Sequence, residues 1–276
     1  MNHLIERDVA AHYGKAGLTE TILDGVLAAG GDPSQPEIET LAPVDEFHTG
    51  GREASLMALD MLPLEPGMHV LDAGSGLGGT ARLIASNHGC QVTGIDLTPE
   101  FTETARALTA RTGLGDKCRF ETGSVLSIPA EKGSFDAAIT FHVGMNIADR
   151  AGFYREVFRV LKPGSRFLVF DVMKGSAPGV PYPVPWAETA ATSFLKSPAE
   201  TRDLMADAGF EVEAEKDLTD YAIGYFHKVF ENAGDGPPPL GLHLLVGENA
   251  TEKFTGYLAG LEAGQIVPHI IVAQRS

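Results

Sequence analysis

The chain has 276 residues, 43% hydrophobic and 21% charged, enough for one generous domain with a buried core and too apolar for wholesale disorder. Twenty-one Lys and Arg against 37 Asp and Glu leave a formal charge of −16, which repels phosphate backbones, so nucleic acid and anionic membranes are poor partners and a neutral, zwitterionic or cationic small molecule is a better one. No window reaches the ~18 unbroken apolar residues of a membrane span. The opening MNHLIERDVAAHYG lacks a secretory apolar core, and Cys90 and Cys118 are too few for a disulfide framework, so a cytoplasmic protein is expected.

Apolar positions at helical spacing (Leu4, Ile5, Val9, then Leu18, Ile22, Leu23, Val26, Leu27) predict helices over 4–29, broken around Gly14–Gly17. After a turn-rich stretch, LAPVDEFHTGG reads as a loop opening onto a helix Arg52–Met61, stopped before Pro63. From Gly67 short apolar runs alternate with amphipathic segments. The strands are MHVLDA, CQVTGIDL, CRFETGS, FDAAITF and RFLVFDV, with helices Gly79–Asn87, Pro99–Thr112 and Ala151–Leu161 between them. A helix Ser197–Ala208, a strand Phe210–Lys216, helices Tyr221–Glu231 and Ala250–Glu262, and a closing strand Gln265–Ala273 follow. This pattern predicts an α/β fold, a Rossmann-like seven-stranded, mostly parallel sheet with helices on both faces. Residues 1–62 read as an N-terminal helical cap and 63–276 as the core. The core carries a Pro/Gly-rich lid insert at about 175–197 and a loop at about 232–245.

The stretch VLDAGSGLGG at 70–79 runs an apolar strand into Gly74, Gly76 and Gly78 and then a helix start. Glycine permits the tight turn and close approach of backbone amides to a ligand, and the helix start offers free N–H groups. Gly74, Gly76 and Gly79 also satisfy GxGxxG, so this stretch alone fits dinucleotides too. Asp96 closes the second strand 18 residues after Gly78, where a carboxylate accepts both hydroxyls of a ribose. Asp72, two residues before Gly74, suits a cationic amino group and repels a pyrophosphate. FDAAITFHVGMNIAD (135–149) is a strand ending in polar groups, and no YxxxK or comparable hydride-transfer pair is present. Together these residues favour a nucleoside-like methyl donor over a nicotinamide nucleotide.

With LDAGSGLGG, GIDLT, FDAAI and VLKPGSRFLVFDV in this order over Leu64–Val172, the chain resembles the class I S-adenosylmethionine-dependent methyltransferases. Its flanks LAPVDEFHTGGREA (41–54), HVGMNIAD (142–149), YPVPWA (182–187) and LGLHLL (240–245) look similar to small-molecule methyltransferases acting on sarcosine, dimethylglycine and related amines. The resemblance implies S-adenosylmethionine as cofactor and S-adenosylhomocysteine as product. It implies that Asp72, Gly74, Ser75 and Gly76 line the methionine portion, Asp96 holds the ribose hydroxyls and Leu97 packs on adenine. Gly123, Ser124 and Val125 fall where relatives often carry an acid for the adenine amino group; Ser124 offers only a hydroxyl. Tyr13, and a loop with His48 and Gly50, would reach the donor from the cap. Phe141 and His142 would border the sulfonium and the substrate.

Displacement at a carbon already held by a positive sulfur needs positioning and a dry site more than it needs an acid or base. Candidates on the acceptor side are His142 at a strand end, Asn146 four residues on, His243, and Tyr182 and Trp186, whose aromatic faces attract alkylammonium groups. HxxxH, HExxH and CxxC spacings are missing, so no metal is expected. The expectation is methyl transfer to a small molecule, at an amine nitrogen rather than carbon or oxygen, by a monomer or homodimer. Two alternatives stay open: an NAD(P)-dependent oxidoreductase built on Gly74, Gly76 and Gly79, and a donor-binding sensor without chemistry.

Overall fold

A computed structural model describes residues 2–14, 16–232, 234, 236–247 and 249–276. Four helices come first: α1 (Asn2–Tyr13), α2 (Leu18–Ala28), α3 (Ile38–Asp45) and α4 (Gly51–Leu59). The core then alternates β1 (His69–Ala73), α5 (Gly79–His88), β2 (Gln91–Asp96), α6 (Pro99–Arg111), β3 (Cys118–Thr122), β4 (Phe135–Phe141), α7 (Arg150–Val160) and β5 (Leu161–Lys174). It ends with α8 (Pro198–Asp207), β6 (Phe210–Asp217), α9 (Thr219–Glu231), α10 (His243–Val246), α11 (Ala250–Glu262) and β7 (Ile266–Arg275). No helix among the described residues is long and apolar enough to cross a membrane.

The seven strands form one sheet of order β3-β2-β1-β4-β5-β7-β6. Its first five strands pair parallel, while β7 runs antiparallel to both of its neighbours. The two-residue period of a strand splits the side chains between two faces. Val70, Val92, Phe120, Ile139 and Phe170 meet α4 and α5 through Ala54, Ala58, Ala81 and Ile84. Leu71, Ala73, Ile95, Ala138 and Phe167 meet Phe153, Tyr154 and Val157 of α7. From β1 the chain proceeds outward to β2 and β3, then returns to lay β4 on the other side of β1. The crevice at this reversal, beyond the carboxyl ends of the strands, is where open α/β sheets bind ligands.

The sequence reading of 41–51 as one loop is corrected: 38–45 is helical, with Pro43 inside the helix. Leu41 and Val44 are fully buried and pack on Ile22 and Val26 of α2, a burial that outweighs the proline's local preference. The predicted loop at 232–245 likewise runs into a one-turn helix, α10.

Helix α3 is also fastened electrostatically. Asp45 Oδ1 accepts from Arg82 Nη2 at 2.6 Å, both side chains fully buried, and Arg82 Nη1 donates to Leu77 O and Thr109 Oγ1, each at 2.9 Å. This pair stands directly behind the glycine loop. Removing one partner leaves a buried charge alone, so Asp45→Ala should cost about 3–5 kcal/mol in denaturant unfolding, and Asp45→Leu with Arg82→Met should recover most of it.

Candidate active site

The first turn of the crevice is made by backbone. Gly74 has φ of +86°, and a Cβ there would lie 2.2 Å from Val143 Cγ2, so the loop after β1 touches the loop after β4 only because residue 74 has no side chain. Gly74 N and Ser75 N both donate to Ile95 O, at 2.8 and 3.0 Å. Gly76 N donates to Asp96 Oδ2 at 2.8 Å and Thr98 N to Asp96 Oδ1 at 2.9 Å. Two amides therefore aim this carboxylate, and each oxygen retains a second lone-pair direction.

Asp72 is 2% exposed and, among the described residues, its Oδ2 has no hydrogen-bond partner. Burial, helped by the neighbouring charge of Asp96, pushes its carboxyl up to about 7. Asp96 is also raised, by burial against the hydrogen bonds from Thr98 and Gly76. Two acids in one hollow form a site for a positive charge.

The hollow opens into a cavity of about 590 Å³. One side is lined by Asp72, Gly74–Leu77, Asp96–Thr98 and Gly123–Leu126; the other by apolar side chains including Phe47, Trp186, Phe226, Phe230, Leu245 and Phe254. Neither lysine nor arginine occurs among the described lining residues. Among the described residues no group of three or more His, Cys, Asp or Glu could hold a metal ion.

At the end of β4, His142 is the one non-glycine residue with positive φ among those described, at 54°, a conformation that persists only where the surroundings enforce it. Its amide donates to Phe170 O at 2.7 Å, while its buried Nε2 has no partner among the described residues and the residue lines the cavity. Burial, and then the charge of His48, hold the imidazole well below its ordinary value, so the ring is neutral. His48 is engaged instead: its Nε2 lies 2.7 Å from Glu46 Oε2 and its Nδ1 3.2 Å from Thr49 O. Arg52 Nη1 pairs with Glu46 Oε1 at 2.9 Å.

Asn146 acts as a clasp. Its Oδ1 accepts from Tyr13 Oη at 3.0 Å, and its Nδ2 donates to Trp186 O and Thr192 O, both at 3.0 Å. It thereby joins α1 and the segment of Trp186 and Thr192 to the loop after β4. Trp186 donates Nε1 to Ser193 Oγ at 2.9 Å and stands edge-on to Tyr257. Tyr13, His48, Leu97, Val125, Phe141 and His243 all line the same cavity.

Two expected residues stand elsewhere. Tyr182 is not among the lining residues and packs in the cluster of Val184, Leu261 and Ile266, its amide turned back on Val180 O. Gly50 caps α4, with the Tyr221 ring in the space a Cβ would need and its carbonyl accepting Tyr221 Oη at 3.2 Å. Ser124 lines the cavity, but its hydroxyl donates to Glu6 and accepts Leu126 N, so its proton is not available to a ligand. Contributions that escaped the sequence reading include Glu6, Phe254 of α11, and the face of α9 carrying Phe226, Val229 and Phe230. The i, i+3, i+4 spacing on α9 was readable as an apolar face, though not what it faced.

The methyltransferase domain family matches residues 71–169. The chain is similar to an O-methyltransferase of Pyrenophora dematioidea, 31% identical over 209 residues, covering 74% of this chain and 76% of that one. It is also similar to 24-methylenesterol C-methyltransferase 3 of Arabidopsis thaliana, 32% identical over 178 residues, 59% of this chain and 47% of the plant protein, so it spans about half that relative's length. A solved structure of a putative sarcosine dimethylglycine methyltransferase from Galdieria sulphuraria shares the fold, with TM-score 0.65 and 20% identity over 81% of this chain and 84% of that one.

The clasp has a measurable signature. Asn146→Ala strands the Tyr13 hydroxyl and two carbonyls, at about 1–3 kcal/mol for each group left buried. Hydrogen exchange should quicken across 184–195 and α1 while the amides of β1 and β4 keep their protection.

Proposed function

Because the chain belongs to the class I S-adenosylmethionine-dependent methyltransferases, we propose that it methylates a small organic acceptor with an apolar body. The observation that carries this is the buried Asp72 carboxyl beside Asp96, its Oδ2 without a hydrogen-bond partner among the described residues. S-Adenosylmethionine is the cofactor, and the residues present suit it. Asp72 would pair with the amino-acid ammonium and Asp96 would accept from the ribose hydroxyls. The glycine loop would let backbone approach without side chains, and Leu97 would lie against the base. When bound, the donor supplies a methyl carbon on a positive sulfur, a group that needs no further activation. The chain's own part is to orient the acceptor and exclude water: Asn146 closes the lid over the strand ends, and Phe226, Phe230 and Phe254 take the acceptor's apolar body. The absence of Lys and Arg among the described lining residues disfavours phosphorylated or carboxylated acceptors.

For the accepting atom we favour nitrogen, since an acid-lined cavity tolerates the cation that amine methylation creates. Of the two aromatic residues expected on the acceptor side, Trp186 lines the cavity and Tyr182 does not. A second reading, a hydroxyl oxygen, is favoured by His142, whose unpartnered Nε2 could take its proton. Methyl-labelled donor offered to paired apolar amines and phenols separates the two. Amine product that persists in His142→Ala supports nitrogen, whereas phenol product reduced about 10²- to 10⁴-fold in that variant supports oxygen. Product formed only from anionic acceptors would overturn the apolar reading.

Donor binding should also depend on pH. Below about 7 Asp72 is protonated and cannot pair with an ammonium; above it the carboxylate is ready. Affinity for S-adenosylhomocysteine, measured by calorimetry, should therefore tighten about tenfold between about pH 6 and 8, and Asp72→Asn should bind more weakly with no such rise.

A further inference from the structure

The part of the cavity beside β2 and β3 holds a carboxylate from a distant part of the chain. Ser124, in the loop after β3, donates its hydroxyl proton to Glu6 of α1 and accepts the amide of Leu126 at 3.1 Å. A serine has one proton to give, and here it is committed to aiming Glu6. Glu6 lines the cavity with Ile5 and Val9, neighbours on one face of α1. The other end of α1 is tied over the same opening, by Tyr13 Oη to Asn146 Oδ1 at 3.0 Å and by His12 Nε2 against Pro185 O at 3.4 Å. The helix therefore lies along the cavity with Glu6 held by a bond to the opposite wall.

The strand order β4-β1-β2-β3 sets His142, Asp72, Asp96 and Gly123–Ser124 in a row along the carboxyl edge of the sheet. A donor with its ammonium at Asp72 and its ribose at Asp96 extends its base toward β3, past Leu97, to the place where Glu6 stands. An aminopurine presents there an N–H donor that has left water and needs an acceptor. A carboxylate is an acceptor only, so it suits an amine and opposes a carbonyl at the same ring position.

We propose that Glu6 accepts the hydrogen bond of the adenine exocyclic amine, with Ser124 as its positioning residue. The N-terminal helix rather than the loop after β3 then supplies the acid that reads the base. This rests on the assignment of the donor in the preceding subsection. It also means that docking of α1 and binding of adenine reinforce one another.

The test compares S-adenosylhomocysteine with S-inosylhomocysteine, in which a carbonyl replaces the amine, by calorimetry on the full chain and its Glu6→Gln variant. Gln is nearly isosteric and its amide N–H can donate to the carbonyl. The wild-type chain should prefer the adenosyl ligand, and Glu6→Gln should narrow that preference at least about tenfold, weakening the first ligand and strengthening the second. Equal weakening of both ligands, or an unchanged ratio, would mean that Glu6 only holds the helix, and the proposal fails. A wild-type chain that binds neither ligand overturns the donor assignment itself and this proposal with it, an outcome distinct from an unchanged ratio.

Discussion

Two acids at the ends of adjacent parallel strands, with no Lys or Arg among the described residues lining their hollow, set the terms for the rest of this molecule. Asp72 and Asp96 lie on β1 and β2, two residues out of register. In a site sheltered from water their charges repel strongly. The protein meets that repulsion asymmetrically. Asp96 is held by the amides of Gly76 and Thr98, whereas Asp72 has its Oδ2 unpartnered and a carboxyl raised to about 7. Asp96 is thus a fixed acceptor and Asp72 a conditional anion, which on the proposed reading a ligand's positive charge completes. A lysine in the wall would have removed the repulsion and the binding energy together.

Behind these acids a second constraint shapes the acceptor side. Asp171 is fully buried on β5, 3.3 Å from Arg150, and takes the amides of Gly144 and Met145; burial pushes its carboxyl up to about 6 despite Arg150. A Cβ on Gly144 would fall 2.2 Å from Asp171 Oδ2, so the chain leaving β4 is drawn tightly onto this pair. That pull accounts for the left-handed backbone of His142, one residue past the strand end. The same turn places Asn146 where it meets both α1 and the lid. Strain at one residue is thereby balanced by a buried ion pair and a three-way clasp.

Parallel strands and the helices between them could be read from the sequence because their signal is local: apolar runs, glycine punctuation, a proline opening α6. Asp72, Asp96 and His142 were readable for the same reason, since a strand end is a place in the sequence as well as in space. Helix α3 was not, because Pro43 speaks against a helix locally while Leu41 and Val44 are decided by burial against α2. Gly50 and Tyr182 were misplaced because their neighbours, Tyr221 and the 257–266 region, are remote in the chain. Glu6 left no trace at all: its meaning comes from Ser124, 118 residues away.

The two halves of the cavity draw on different parts of the chain, and this decides how much any motif can say. The acidic half is assembled from the ends of β1 and β2 and the loops after β1, β2 and β3, where turn chemistry restricts the residues that fit. Its apolar counterpart comes largely from α9, the prolines and leucines before α10, and α11, where many hydrophobic side chains fill space equally well. On the proposed reading, selection of the acceptor falls to residues that form no motif, outside the stretch that marks the fold. The volume and curvature of that wall, more than any single polar group in it, limit what can lie beside His142.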